Sequence, residues 1–261
     1  MPPLLADGPR WIDRLRGFAH AGVNFIYPPT CPACQAETTD AEQSAAGGLC
    51  EKCRDALTKT HGRSCLRCGA AIGPHLDPTA ACQYCRDDKF AFERVIRLGV
   101  YDDELRGACL RSKQRHTESL AAGLAMLLLQ CESESLREVN ASAIVPVPQH
   151  WVQRLYRPHN TAEVLATVLS RRLHVPVASH IVKKTRWTPP QSRLNPTDRR
   201  TNLRGAFAAN RADLTGSTAL VVDDVMTTGT TAHEVSKVLR KAGAERVIVA
   251  VIARGLGRRD F

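Results

Sequence analysis

The sequence predicts an α/β fold, a mostly parallel twisted sheet covered by helices, with a small metal-binding domain in front of it. Three observations point there. From Glu93 onward apolar runs of strand length alternate with segments of helical period. One such run, "ALVVDDVMTTGTTAHEV" (Ala219 to Val235), ends in two adjacent aspartates and a hydroxyl-rich turn. Between residues 31 and 85 the chain carries four Cys-x-x-Cys pairs. With 261 residues there is length for a small domain and a medium one, each with its own interior. The expected division is a helical lead-in over 1–30, a cysteine domain over 31–90 and the α/β domain over 91–261.

The opening "MPPLLADGPRWIDRLRG" has no secretory pattern, so the ten cysteines are expected to be reduced or metal-bound in the cytoplasm. Nothing approaches a membrane span, since "LAAGLAMLLLQ" is too short for one. Trp11, Ile12, Leu15, Phe18, Ala19 and Ala21 fall near helical spacing. That lead-in suits packing against its own domain. Docking at the inner face of a membrane or on a partner is the alternative.

Cys31, Cys34, Cys50 and Cys53 form one group of two pairs, and Cys65, Cys68, Cys82 and Cys85 the next. Two residues between thiols let one turn aim both sulfurs at an ion, and two such turns complete a tetrahedral Zn²⁺ site with no open position. Two structural zinc ions are therefore expected, paired consecutively, with a cross-braced arrangement as the alternative. Cys109 and Cys131 have no partner of this kind and are expected to be buried. Zinc also alters the charge balance. Two tetrathiolate centres lower the formal +10 to about +6. Residues 1–90 hold ten Lys/Arg against ten Asp/Glu, whereas residues 91–261 hold 26 against 16. Any polyanion is thus expected on the C-terminal part.

In that part "ERVIRLGVY" reads as a strand and "DDELRGACLRSK" as a helix capped by Asp102 or Asp103. "TESLAAGLAMLLLQ" reads as a helix with Leu120, Leu124, Leu127 and Leu128 inward. "ASAIVPVP" is a buried strand, and "NTAEVLATVLSRRL" a helix with Val164, Leu165, Val168 and Leu169 inward. "STALVVDD" is a strand, "TTAHEVSKVLRKAG" a helix closed by Gly243, and "ERVIVAVIA" a last buried strand. Ligands of such sheets bind at the carboxyl ends of the strands, where Asp223 and Asp224 fall. Beyond them Thr227, Thr228, Gly229, Thr230 and Thr231 lead into a helix N-terminus, whose backbone N–H groups and dipole favour a phosphate. The carboxylates suit a diol. Diol plus phosphate describes a ribose 5-phosphate, with an ordinary Rossmann-like turn as the alternative.

At these residues the chain resembles the type I phosphoribosyltransferases. That resemblance implies a sheet of type I phosphoribosyltransferase type, Asp223 and Asp224 on the ribose hydroxyls of phosphoribosyl pyrophosphate (PRPP), residues 227–231 on its 5-phosphate, and Mg²⁺ accompanying PRPP. "VPVPQHWVQRLYRPHN" resembles the pyrophosphate loop of the family, placing Pro146, Val147 and Pro148 there, with Arg154 and Arg157 as counter-charges. Pro158 and His159 stand between Arg157 and Asn160 where that family has an R-G-F-N-Q-like stretch.

Joined to two zinc ribbons, this domain resembles the ComF family of late competence proteins. "YDDELRGACLRSK", "IVPVP", "TPPQSRLNPTDRRTNLRGAF", "LVVDDVMTTGTT" and "VIARG" carry the likeness. It implies a part in DNA uptake and natural transformation, a PRPP-like ligand, and single-stranded DNA or other DNA-uptake proteins as partners. Glutamine-dependent amide chemistry is not expected, because Pro2 follows Met1 where the glutaminase of that chemistry has an N-terminal cysteine. If the chain is an active transferase passing ribose 5-phosphate to a nitrogen acceptor, Arg157, Arg199 and Lys113 are candidates to stabilise departing pyrophosphate. The stretch from Lys183 to Arg204 holds Lys183, Lys184, Arg186, Arg193, Arg199, Arg200 and Arg204 against Asp198 alone, with Trp187 to stack on a base. It reads equally as a nucleic-acid surface or as a solvated loop closing over PRPP.

Overall fold

The computed structural model describes residues 28–45, 47–152, 159–188, 203–210 and 213–256. The helical lead-in expected over 1–30 falls outside them as far as residue 27, as do Arg154, Arg157, Arg193, Arg199 and Arg200.

Four strands form the main sheet: β1 (Arg94–Val100), β2 (Ala143–Pro146), β5 (Thr218–Met226) and β6 (Arg246–Arg254). They lie in the order β1-β6-β5-β2, every pair parallel. A small antiparallel pair, β3 (Val182–Lys184) with β4 (Phe207–Ala209), stands apart from it. The near-continuous apolar runs follow from burial on both faces, which parallel sheets require because helices cover each side. Alternate residues along β5 divide between two cores. Leu220 and Val222 enter one with Ile144, Ile248, Leu124, Leu165 and Leu169, while Ala219 and Val221 enter the other with Val249, Val235 and Leu239.

The first core is roofed by α3 (Asp103–Arg111), α4 (Glu118–Cys131), α5 (Ser133–Glu138) and α6 (Thr161–Leu173), and the second by α7 (Thr230–Lys241) with the β3–β4 pair. Asp102 caps α3, its carboxylate accepting from the N–H of Asp103. The four leucines expected inward on α4 are all buried. On α6, Leu165 and Leu169 are buried but Val164 and Val168 only half so. Ala162 and Ala166, in phase with Leu165 and Leu169 along the helix, are the further buried residues of that face. Gly243, at φ +101°, follows the end of α7 as expected, and a side chain there would strike the backbone of Thr215.

Ahead of the sheet the chain forms two knuckles of one design. Cys31 N–H donates to the Ala36 carbonyl and Gln35 N–H to that of Cys31; 34 residues on, Cys65 donates to Ala70 and Gly69 to Cys65. Gln35 and Gly69 occupy the same left-handed turn position, at φ +64° and +71°. The partner thiols differ in setting. Cys50 and Cys53 open a helix, α2 (Glu51–Thr58), which follows the short α1 (Asp40–Ala45), whereas Cys82 and Cys85 sit in a turn. The sulfurs gather as Cys31/Cys34/Cys50/Cys53 and Cys65/Cys68/Cys82/Cys85, each set within 4.8 Å, so the consecutive pairing is the one found.

These residues fit zinc. Sulfurs 3.7 Å apart in Cys34–Cys50 and 3.5 to 3.8 Å apart in Cys68–Cys82, Cys65–Cys85 and Cys82–Cys85 are far too separated for disulfides. They match the edge of about 3.8 Å in a tetrahedron with Zn–S bonds of 2.3 Å. Burial, and after it the neighbouring thiols, pushes Cys53 and Cys68 well up, a crowding that a divalent cation relieves. Cys109 is buried, as expected, and Cys131 half-buried.

The ribbons are fastened to the edge strand β1, which would otherwise present unpaired backbone groups. Val95 N–H donates to the Leu66 carbonyl of the second knuckle. Val100 N–H donates to Thr60 Oγ1, in the link between the ribbons, and His61 Nδ1 lies 2.9 Å from the Leu98 carbonyl. Gly99 allows that approach, since a Cβ there would lie 2.6 Å from Thr60 Oγ1.

Carefully purified chain should contain two zinc ions, and chelation should unfold residues 31–90, since so few buried apolar groups hold the ribbons without metal. Elemental analysis and circular dichroism check this; fewer than two ions, or an unchanged spectrum after chelation, would contradict it.

Candidate phosphoribosyl site

Strand β5 carries its apolar run through Val222, whose backbone also accepts from Val147 N–H at the exit of β2. Asp223 and Asp224 follow at the carboxyl end of the sheet. Each turns its carboxylate onto the next backbone: Asp223 Oδ1 accepts from Asp224 N–H, and Asp224 Oδ1 from Val225 N–H, both at 2.9 Å. Two adjacent acids in a protein interior repel, and burial adds to the cost. Burial first, then the charge of Asp224, pushes the Asp223 carboxyl well above the usual carboxylate range.

Two lysines offset that charge from opposite layers. Lys113, just beyond α3, brings Nζ to 2.6 Å from Asp224 Oδ2. Burial works against its charge, yet the attraction and hydrogen bond of Asp224 prevail and raise its pKa. Lys184, at the end of β3, is half-buried. Burial lowers its pKa while Asp223, within reach of its charge, opposes that shift. From sequence, Lys113 is expected against departing pyrophosphate and Lys184 on a nucleic-acid surface; the structure brings both to the acidic pair. Apolar Val182, two residues earlier on the same strand, is buried, and that alternation is the available signal for Lys184.

Beyond the acids the chain turns at Thr227, Thr228 and Gly229 into α7. Gly229 is the N-cap, at φ +75° and ψ 4°, and no side chain caps the helix there. Glycine is required twice over: by that left-handed conformation, and because a Cβ would lie 3.1 Å from the Phe90 ring. Thr228 and Thr230 hold their hydroxyls 2.8 Å apart. Asp223, Thr227, Gly229, Thr230 and Thr231 line one small cleft, so the first of the two acids and the turn share a concavity, while Asp224 is engaged by Lys113.

The region matched to the pyrophosphate loop is described at its two ends. Pro146 closes β2, Val147 is buried and Pro148 begins the exit. At the other end Asn160 caps α6, accepting from Ala162 N–H, while its Nδ2 donates 3.0 Å to the Val147 carbonyl. One side chain therefore ties both ends of the segment together. His159, in sequence only a departure from the family pattern, lies with Nε2 2.8 Å from the Ser112 carbonyl and Nδ1 3.3 Å from Glu118. Thr161 Oγ1 donates to the same carbonyl, so the backbone next to Lys113 is fixed from the α6 side. Of the basic stretch, Lys183, Arg186, Trp187 and Arg204 are exposed, with Arg186 donating to the Arg204 carbonyl.

Fold and site together define a phosphoribosyltransferase-type domain behind a double zinc ribbon. Residues 158–261 match the phosphoribosyl transferase domain family and residues 22–88 the double zinc ribbon domain family. The chain is 31% identical to competence protein F of Haemophilus influenzae over 215 residues, covering 80% of this chain and 92% of that protein. It is 31% identical to DNA utilization protein YhgH of Escherichia coli K12 over 214 residues (80% and 91%) and 29% identical to YhgH of Salmonella typhimurium over 224 residues (80% and 98%). The chain belongs to the competence protein F (ComF) family.

Asp223 supplies a pH test. A carboxyl whose folded pKa lies above its unfolded value costs the fold nothing below the unfolded pKa, and destabilises it increasingly as pH rises through the folded value. Asp223→Asn should therefore melt above the parent, the gap widening as pH rises above the ordinary carboxylate range, at about 2–4 °C for each kcal/mol relieved. A gap that stays constant or reverses in a calorimetric series would contradict the charge assignment.

Proposed function

We propose that this protein serves DNA uptake and natural transformation, a reading supported by the competence and DNA-utilization names of its relatives, and that its C-terminal domain binds Mg²⁺-PRPP or a related phosphoribosyl ligand. The observation that carries the ligand reading is the run of two carboxylates into an uncapped helix start, the first of them sharing a cleft with Thr227 and residues 229–231. The carboxylates accept from the ribose hydroxyls, and the N–H groups and hydroxyls of residues 227–231 donate to the 5-phosphate. Mg²⁺ would come with the pyrophosphate, whose place is the segment from Pro146 to Asn160, including Arg154 and Arg157. Lys113 holds Asp224 in readiness for a hydroxyl donor. The domain division 1–30, 31–90 and 91–261 belongs to this proposal, as does a reducing, cytoplasmic setting, which suits ten cysteines none of which is disulfide-bonded. No helix of the described residues is long and apolar enough to cross a membrane.

Lys113 favours a second reading, an active transferase using a nitrogen acceptor. A lysine at the acids is placed to answer charge that develops as pyrophosphate leaves, with Arg157 and Arg199 as further candidates. Pyrophosphate release with and without single-stranded DNA separates the two.

Asp223→Asn with Asp224→Asn keeps size and removes charged acceptors worth about 1.5–3 kcal/mol each when bonded. Calorimetric titration with Mg²⁺-PRPP should show at least tenfold weaker binding; unchanged affinity would refute the assignment.

Single-stranded DNA is proposed to bind the stretch from Lys183 to Arg204, of which Lys183, Arg186 and Arg204 are exposed, with Trp187, 53% exposed, as a stacking surface. The first ninety residues carry about −4 with zinc bound, a poor field for a polyanion. Reversing Lys183, Arg186, Arg200 and Arg204 to Glu should weaken binding and flatten the log-affinity against log-salt slope by about 0.7 for each phosphate no longer neutralised. Fluorescence anisotropy checks this; a variant that binds like the parent would overturn the surface. Lys184 is left out because it serves the acidic pair.

A further inference from the structure

Arg254 ends the apolar strand β6 and is only 5% exposed. Its backbone is clasped on both sides, the carbonyl accepting from Tyr101 N–H, and the following Gly255 N–H donating to the Met226 carbonyl. A buried guanidinium must place its donors. Among the described residues its hydrogen bonds go to backbone carbonyls and none to a carboxylate. Nε donates 2.7 Å to the carbonyl of Cys68, a ligand of the second zinc set, and Nη1 donates 3.2 Å to the carbonyl of Met226. The same Nη1 also reaches the carbonyls of Thr227 and Gly255. One rigid fork thus bridges the second knuckle and the first residues of the phosphate loop.

We propose that Arg254 is a positioning residue that couples the two, so that metal at Cys65, Cys68, Cys82 and Cys85 sets the shape of the phosphate loop while metal at the first set does not. This rests on the reading of residues 227–231 as a phosphate site. Charge supports the coupling directly. Zinc with four thiolates carries a net charge of about −2, which answers the buried guanidinium; protonated thiols do not. The knuckle also packs closely on the sheet, for a Cβ on Gly69 would lie 2.8 Å from Val95 Cγ1. Phe90, just after the last zinc ligand, touches Gly229, and Ala91 N–H donates to His233 Nδ1 on α7. A cavity of about 410 Å³ along this seam is lined by Asp88, Lys89, Phe90, Thr228, His233 and Lys237 among others. The first zinc set packs elsewhere. Cys31 and Leu49 enter the core under α4, where Gly47 and Gly123 almost touch, and no backbone hydrogen bond among the described residues joins it to residues 226–231.

The test uses the full-length protein with zinc content measured for every variant. Amide hydrogen exchange over residues 224–233, without ligand, should quicken about tenfold in Arg254→Met and in Cys82→Ser. It should quicken less in Arg254→Lys and stay unchanged in Cys34→Ser. Exchange of Val221 and Val249 reports whether the sheet is intact; if Arg254→Met loses it, Arg254→Lys decides. With cobalt in place of zinc, the thiolate-to-metal absorption should shift when Mg²⁺-PRPP binds the parent, and not when it binds Arg254→Lys. Loop exchange that is unaltered by both site-two changes, or quickened equally by Cys34→Ser, overturns the coupling. If the parent fails to bind Mg²⁺-PRPP, the phosphoribosyl reading falls, and the exchange result still judges the coupling.

Discussion

Two carboxylates side by side at the end of a buried strand carry a cost in burial and mutual repulsion. Neither can leave, because Asp223 follows directly on Val221 and Val222, both fully buried, and its backbone is paired with Val251 of β6. Much of the surrounding architecture answers that cost. Lys113 approaches from the α3 layer to 2.6 Å, and Lys184 of the β3–β4 pair lies within reach of the Asp223 charge. Lys113 is in turn held through the Ser112 carbonyl by His159 and Thr161. The beginning of α6 therefore participates in balancing a charge on β5.

The same strand end sets the loop that follows. From Met226 the chain must leave the sheet, turn through a left-handed Gly229 and start a helix with no side-chain cap. Such a start leaves backbone donors for an anion. What fixes its path comes from outside the turn: Arg254 beneath Met226 and Thr227, and Phe90 against Gly229. The zinc ribbons lie along β1 rather than hanging from it, covering its edge through Leu66 and Thr60. Metal binding and sheet packing consequently meet at residues that also shape the site.

Much of this is legible in sequence. Four Cys-x-x-Cys pairs at ribbon spacing announce two metal sites because thiol geometry leaves few alternatives. The run from Ala219 to Thr231 announces its strand, acids and helix start because each residue type has one obvious physical use there. Arg254 is not legible as a tether: in "VIVAVIARG" it looks like the polar end of a strand, and its partners lie 186 residues away at Cys68 and 28 away at Met226. Lys184 is hidden among exposed basic neighbours. Val164 and Val168 fit the helical period as well as Ala162 and Ala166 do, and the pattern alone does not say which pair is the more deeply buried.

What the turn after Asp224 holds decides the function of the C-terminal domain. A crystal structure of the full-length protein with Mg²⁺ and PRPP tests it most directly. It should show the 5-phosphate on the backbone N–H groups of residues 227–231 and the ribose hydroxyls on Asp223 and Asp224. A ligand found elsewhere, with those carboxylates still engaged by Lys113 and their own backbone, would contradict the phosphoribosyl assignment.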